Sequence, residues 1–518
     1  MKNILRHEKY FFLAVVILHL LPLLMLEFFV THDGPSHVYN SAIISRLFHG
    51  DALTSKYFMF NPQPVPNWLG HFLLCLFNIF FSANISEKIL IGLYIVSLAY
   101  SFRMLLLSVN HESAWGSWLI FPFIYSLYLY QGLHNFCLAI PVLFFSLNYY
   151  IRNAGSLSPK HFLTIAFFGT MLYFSHIFSL ILFGLMAGAY LITEFFIHKI
   201  QTTEEKNFMR LCKRLGFLAL ALLPGLIMAV QFVTRNAGLN EGAPEPTFPE
   251  RLVFLFIARP LITLNYDEEI YYSGIVAVAF WSIWIIAVVS RMRKFSFRLA
   301  DFWFIASILI LIIYLTVPDT LASGNFVSLR LLVFYYLFSI IWIGTNILPG
   351  GLKNFSMAVF SMLSLLFLIY HYTESETTDK EAKEYFSVSG HVREGSIVLP
   401  VCYSVNWLHS NLSNYLGAEK NVVLLDNYEA AMSHFPTMWK PELDPYAGMN
   451  IGYASSPCLD IERYQKISGQ NIDYIIRWGY NKTFQDSCAQ AISAYILKNY
   501  FLIFTSANNK AEVFQRKK

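Results

Sequence analysis

VTHDGPSHVYNSAIISRLFHGD, Val30 to Asp51, follows directly on an apolar run, 11–30, long enough for a helix to cross about 30 Å of hydrocarbon. An acid, a Gly-Pro pair and several histidines therefore stand where the chain is expected to leave a bilayer. Asp33-Gly34-Pro35 reads as a helix start, because the Asp33 carboxylate can accept free N–H groups of the first turn and Pro35 needs no N–H there. From Ser36 to Phe48 the spacing is helical. Tyr39, Ile43 and Leu47 share one stripe, with Ile44 and Phe48 beside it, while His37, Ser41 and Ser45 continue a polar stripe from Asp33. Such a helix is expected to lie flat on the outer membrane interface. Asp51 follows at its end, and NPQPVPNW turns the chain back.

The rest of the chain agrees with a membrane setting. Of 518 residues, 56% are hydrophobic and only 14% charged, too apolar for a soluble domain. The 48 Phe and 31 Tyr suit lipid-facing helices and interfacial belts. A net charge of +4 gives no ground for a nucleic-acid partner. Six cysteines are scattered without a CxxC pair or a zinc spacing. Cys402, Cys458 and Cys488 lie in the polar tail and allow one disulfide among them. The N-terminus has no small-residue cleavage site after its apolar run and reads as a retained first helix entering from the cytoplasm.

Apolar runs of spanning length occur at 11–30, 68–83, 88–108, 213–233, 271–290, 300–317, 329–348 and 354–372, and two interrupted regions, 115–151 and 161–197, are expected to hold helix pairs or broken helices. The fold class is thus a polytopic α-helical membrane protein of about ten to twelve transmembrane helices. Basic clusters at Lys2–Lys9, Lys199–Arg214 (with Lys206), Arg291–Arg298 and Lys353 mark cytoplasmic loops. The first outer loop, 31–66, the large outer loop, 234–270, and all that follows 372 are then extracytoplasmic. Residues 1–372 form the transmembrane domain. In 373–518 a charged helical linker leads into β-like runs (SIVLPV, NVVLLD, IDYIIRW, YFLIFTS, AEVFQ), which predict a C-terminal extracytoplasmic α/β domain.

A short cytoplasmic N-terminus, a first span, and an outer loop opening on THDGPSHVYN with an acid and a helix together resemble the C-type glycosyltransferase superfamily, polytopic enzymes that use polyprenyl-phosphate-linked sugars. The resemblance covers the plan of nearly the whole chain. It implies that Asp33, by position, is the catalytic base. Many members carry an adjacent acidic pair there, whereas Gly34 follows Asp33 in this chain. The implied reaction is an inverting transfer of a sugar from a polyprenyl-phosphate donor to a lipid or glycan acceptor at the outer face of the bilayer. One carboxylate takes the acceptor proton as the sugar carbon becomes oxocarbenium-like.

His37, one turn from Asp33, is a candidate substrate-binding residue. A metal held by Asp33 and His37 alone is under-ligated, so no cofactor is expected. In QGLHNF (131–136), His134 and Asn135 stand with Gln131 between apolar segments, where polar groups tend to line pathways. Arg330 lies at the outer entrance of a late span, where a guanidinium can hold a phosphate. His176 reads as a packing histidine, the stretch 247–264 as a further interfacial helix, and Asp267 to Glu269 as a solvated turn. Asn411 and Asn481 open sequons. The tail strands carry no catalytic pattern and are expected to cover the site or bind acceptor. The alternatives are a lipid or solute transporter or flippase, and a non-catalytic membrane assembly protein.

Overall fold

The structure, a computed structural model, describes every residue except 1, 202–207, 238–244, 294–296, 322–323, 450, 452–457, 481–485 and 518. Lys206, part of the basic run 291–298, part of the large outer loop and the sequon at Asn481 lie outside the described residues. The chain forms two compact units. One comprises Met1–Leu20, Leu93–Tyr130 and Asn135–His371, and the other Leu21–Gly92, Gln131–His134 and Tyr372–Lys518.

Eight helices among the described residues are long and apolar enough to cross a membrane. Lys2–Leu18 and Pro159–Ser175, of 17 residues each, stand at the short end of the spanning range. Two expected spans are corrected. Within 68–83 the chain forms a nine-residue helix, Leu69–Phe77, that closes at Asn78, whose side chain donates to the Ser41 hydroxyl at 2.8 Å. The run 11–30 does not continue as one helix either. It ends at Leu18, and Pro22, which has no N–H to give back to the Leu18 carbonyl, sits in a separate turn, Leu21–Met25.

In the first unit Val327–Gly344 is enclosed along its whole length, 100% of it buried, with Leu299–Thr316 packed beside it. Phe208–Arg235 and Tyr266–Met292 are only 33% buried, and their outward apolar faces suit lipid. The region 115–151 is broken as expected, into a 3-10 stretch His111–Phe123, a turn Leu127–Tyr130 and the helix His134–Asn153. The stretch 247–264 forms a short helix, Phe248–Phe256, and a 3-10 turn, Arg259–Leu261. The acids after it are not all solvated. Asp267 and Glu268 are exposed, but Glu269 is fully buried and accepts hydrogen bonds from the Thr263 hydroxyl at 2.9 Å and the Leu264 N–H at 3.1 Å.

The second unit is built on a five-stranded sheet. Its strands are β2 (Ile397–Cys402), β3 (Val423–Leu424), β5 (Tyr474–Trp478), β6 (Tyr500–Thr505) and β7 (Ala511–Arg516), in the order β3-β2-β5-β7-β6. β2 runs parallel to β3 and β5, and β7 antiparallel to β5 and β6, so all five β-like runs of the tail enter one sheet. A separate two-stranded ribbon joins β1 (Phe58–Phe60) of the first outer loop to β4 (Thr437–Trp439), with Phe58 opposite Trp439.

The first-loop helix, Gly34–Phe48, is not an interfacial helix. Every residue from Gly34 to Ile44 is buried, the polar stripe included. The helix packs on Asn414–Glu419 and on Leu69–Phe77. Its polar groups find partners in the C-terminal segment. Tyr39 donates to the Val422 carbonyl at 2.9 Å, Asn40 pairs with Asn427 at 2.9 Å, and Arg46 reaches the carbonyls of Gly417, Ala418 and Lys420 within 3.1 Å. These bonds satisfy groups that would otherwise be costly to bury.

Of the three tail cysteines, Cys458 and Cys488 pair, with Cα atoms 4.9 Å apart, and Cys402 is free. The two half-cystines are separated by 30 residues, a closure that stabilises by about 3–4 kcal/mol through the unfolded chain. Dithiothreitol is therefore expected to lower the thermal midpoint of this unit, read by tryptophan fluorescence. An unchanged midpoint with both thiols titrated as free overturns that expectation.

Candidate functional site

Asp33 stands at the cap position of the first-loop helix but does not cap it. Its backbone is already helical (φ −93°, ψ −10°), and no cap bond forms from its side chain. The expected capping role is thus corrected, and the carboxylate is left for other contacts. Asn411 donates to its Oδ1 at 3.5 Å, the Tyr428 hydroxyl hydrogen-bonds it, and His32 Nε2 lies 3.8 Å away. Burial, with the negative charges of Asp33 and Glu429, pushes the Tyr428 hydroxyl well above its ordinary range, so it stays protonated as a donor. The Asp33 side chain keeps 19% exposure, enough to meet a substrate.

The backbone of Asp33 is fixed from the QGLHNF segment. Its N–H donates to the Gln131 carbonyl at 3.3 Å, and the Gly132 carbonyl lies 2.9 Å from His37 Nε2. Gly132 has φ +73°, and a Cβ there would fall 2.5 Å from the Asp33 nitrogen and 2.7 Å from that of Gly34. Gly34 is small for a similar reason: a Cβ on it would overlap a carboxylate oxygen of Glu87 at 1.8 Å. Glu87 is buried among Thr31, His134 and Tyr415, with His134 Nε2 at 3.3 Å. An acid thus does approach the residue after Asp33, from another helix rather than from the next position in the chain.

His37 lies one turn on and faces Glu429, its Nδ1 2.6 Å from Oε1, while His71 Nε2 lies 2.9 Å from Oε2. All three side chains are 5% exposed or less. Burial depresses the His37 pKa, but the Glu429 charge outweighs it and pushes it up to about 9. Burial raises Glu429, and the two histidines more than reverse this, holding it down at about 2. Asp426, three residues earlier, is pushed up to about 7 by burial, against a hydrogen bond from the Ser413 hydroxyl.

Asp33, His37 and His134 are therefore neighbours in one unit. Asn135, buried, and Arg330 belong to the other unit, where the Arg330 guanidinium donates to His176 Nε2 at 2.9 Å and lies over the Phe136 ring. His176 is thus a partner of Arg330 as well as a packing residue. His71, Glu87, Tyr428 and Glu429 were not among the expected site residues, and Asn411 entered only as a sequon. The Asn411 amide is instead buried and donates to the His32 carbonyl at 2.9 Å. Two signals pointed to these residues: a histidine inside an apolar run, and the polar DNYE at the carboxyl end of a buried parallel strand, where ligands gather in open sheets.

No protein-family model matches the chain, and no curated protein matches it by sequence. Among solved structures, the chain is similar to ArnT from Cupriavidus metallidurans in the apo state, with TM-score 0.57 at 11% identity over 98% of this chain and 97% of that one. It is also similar to the structure of that protein bound to undecaprenyl phosphate, with TM-score 0.55 at 10% identity and the same 98% and 97% coverage. At that identity the likeness is one of fold. The chain has the C-type glycosyltransferase fold and is an integral, multi-pass membrane protein.

Proposed function

We propose that the chain is a membrane glycosyltransferase that moves a sugar from a polyprenyl-phosphate donor to an acceptor hydroxyl at the outer face of the membrane, with inversion and with Asp33 as general base. The observation that carries this reading is the Asp33 carboxylate: immobilised through its backbone, released from helix capping, and partly open to solvent. A general base needs that combination of fixed position and access to the proton it removes. The overall likeness to ArnT, one of whose structures holds undecaprenyl phosphate, supports an isoprenoid phosphate as the carrier. A carrier phosphate is a good leaving group and needs positive charge more than a proton. The Cys458–Cys488 disulfide favours an oxidising compartment for the C-terminal segment, in keeping with an extracytoplasmic site.

The reading is tested with purified protein in proteoliposomes, given a pool of polyprenyl-phosphate sugars and a lipid extract as acceptor. The expected result is acceptor-dependent release of polyprenyl phosphate, with an acceptor lipid heavier by one sugar. Movement of the intact donor between leaflets with no change in its mass would instead establish a flippase and overturn the proposal.

A further inference from the structure

His37, His71 and Glu429 come from three separate places: the first-loop helix, the short helix Leu69–Phe77, and the 3-10 turn Glu429–Ala431. Their donor atoms converge within 4.8 Å of one another in the interior of the second unit. The far nitrogen of each ring is already committed. His37 Nε2 lies 2.9 Å from the Gly132 carbonyl, and His71 Nδ1 lies 2.9 Å from the Asn67 carbonyl. A carbonyl oxygen only accepts, so these nitrogens carry the ring hydrogens. The nitrogens turned toward Glu429 face a carboxylate, which only accepts, and present lone pairs once the protons held there leave. The Nδ1 of His37 and the Oε1 of Glu429 are both buried and, despite their 2.6 Å separation, neither has a hydrogen-bond partner of acceptable direction. Two lone pairs and a carboxylate directed at one point, with both imidazoles oriented from behind by backbone carbonyls, is the arrangement that surrounds a protein-bound transition metal.

We infer that His37 Nδ1, His71 Nε2 and the Glu429 carboxylate bind one divalent first-row cation of the zinc class. Two imidazoles and a carboxylate match its ligand preference and leave a fourth position open. The cation enters by opening the present nitrogen–oxygen contacts from 2.6 and 2.9 Å to about 3.4 Å, the edge of a tetrahedron with metal–ligand bonds near 2.1 Å. Each histidine binds as a neutral ring, and any proton held between ring and carboxylate leaves as the metal arrives. The ion ties the first outer loop to the C-terminal segment, and through His37 it holds the Gly132 carbonyl beside Asp33. The expectation that Asp33 and His37 make an under-ligated pair counted neither His71 nor Glu429, and the inferred site does not use Asp33. It stands whether or not the chain transfers a sugar.

The test is the metal content of the full-length protein purified in detergent through metal-free buffers, read by inductively coupled plasma mass spectrometry. About one zinc-class equivalent per chain is expected. Removing it with 1,10-phenanthroline should lower the thermal midpoint, and Zn²⁺ should restore it. Co²⁺ in its place should give the visible absorption of a four-coordinate site with nitrogen and oxygen ligands. Glu429→Gln, which preserves shape, and His71→Ala should each lose the bound ion. Wild-type protein that carries no metal and gains no thermal stability from added Zn²⁺ overturns the inference, a result independent of whether either variant folds. Retention of a full equivalent by folded Glu429→Gln overturns it as well.

Discussion

Asp33→Asn is expected to lose glycosyl transfer by about 10³-fold with its thermal midpoint unchanged, since a positioned general base contributes about 10²–10⁴-fold. The carboxylate is the group at stake because an amide of the same shape takes no proton from an acceptor hydroxyl. The fold has little to lose. Asp33 makes no cap bond, and an Asn oxygen accepts from Asn411 and Tyr428 as the Asp oxygen does, so the stability change should stay within about 0.5 kcal/mol. The variant separates the competing readings as well. A transporter or an assembly protein has no use for a base at this position and should function normally with the amide in its place. Wild-type transfer by the Asp33→Asn variant, in the proteoliposome assay, would remove Asp33 from the chemistry.

The parts of the fold that were legible in the sequence are those set by local pattern. Long apolar runs mark the spanning helices because a bilayer demands length and hydrophobicity whatever the neighbours are. The tail strands were legible because all five β-like runs are bounded by turn or helical residues. The misreadings share a cause. Leu69–Phe77 is apolar enough for a span, but it closes at Asn78, whose side chain bonds to Ser41, 37 residues earlier. The first-loop helix has the periodicity of a surface helix, and it is buried only because Tyr39, Asn40 and Arg46 find partners more than 370 residues along the chain. Amphipathic spacing reports that two faces differ, not whether the polar one meets water or another part of the protein.

The site divides in the same way. Asp33 was singled out by its place after the first span and by the family resemblance, His37 by lying one turn from it, and His134 by standing between apolar segments. His71 and Glu429, bonded across a separation of 358 residues, carry no joint signal in a single sequence. The capping reading of Asp33 failed for a backbone reason. Asp-Gly-Pro predicts a side chain folded back on the first turn, but Asp33 has helical dihedrals, its N–H donates to the Gln131 carbonyl and its side chain makes no cap bond.

That backbone contact gives the second large effect. Gly132→Ala is expected to cut transfer by about 10²-fold, the loss that a displacement of about 1 Å in a reacting group can cause. A Cβ at 132 meets the Asp33 nitrogen at 2.5 Å, the Gly34 nitrogen at 2.7 Å and the Asp33 Cα at 2.9 Å. All three are backbone atoms, so no rotamer change relieves the overlap, and one of the two segments must move. The same substitution adds left-handed strain at φ +73°, about 1–2 kcal/mol. Gly50→Ala separates strain from displacement. Gly50 has φ +69°, but a Cβ there meets nothing within 4 Å, so the variant carries the strain alone. It should be destabilised by about 1–2 kcal/mol and retain transfer. If Gly132→Ala and Gly50→Ala prove equally active while both remain folded, the close approach of 131–134 does not position Asp33 for chemistry. If only Gly132→Ala fails, with a crystal structure or crosslinking showing the Asp33 carboxylate displaced, the glycine is a positioning residue acting through the backbone it touches.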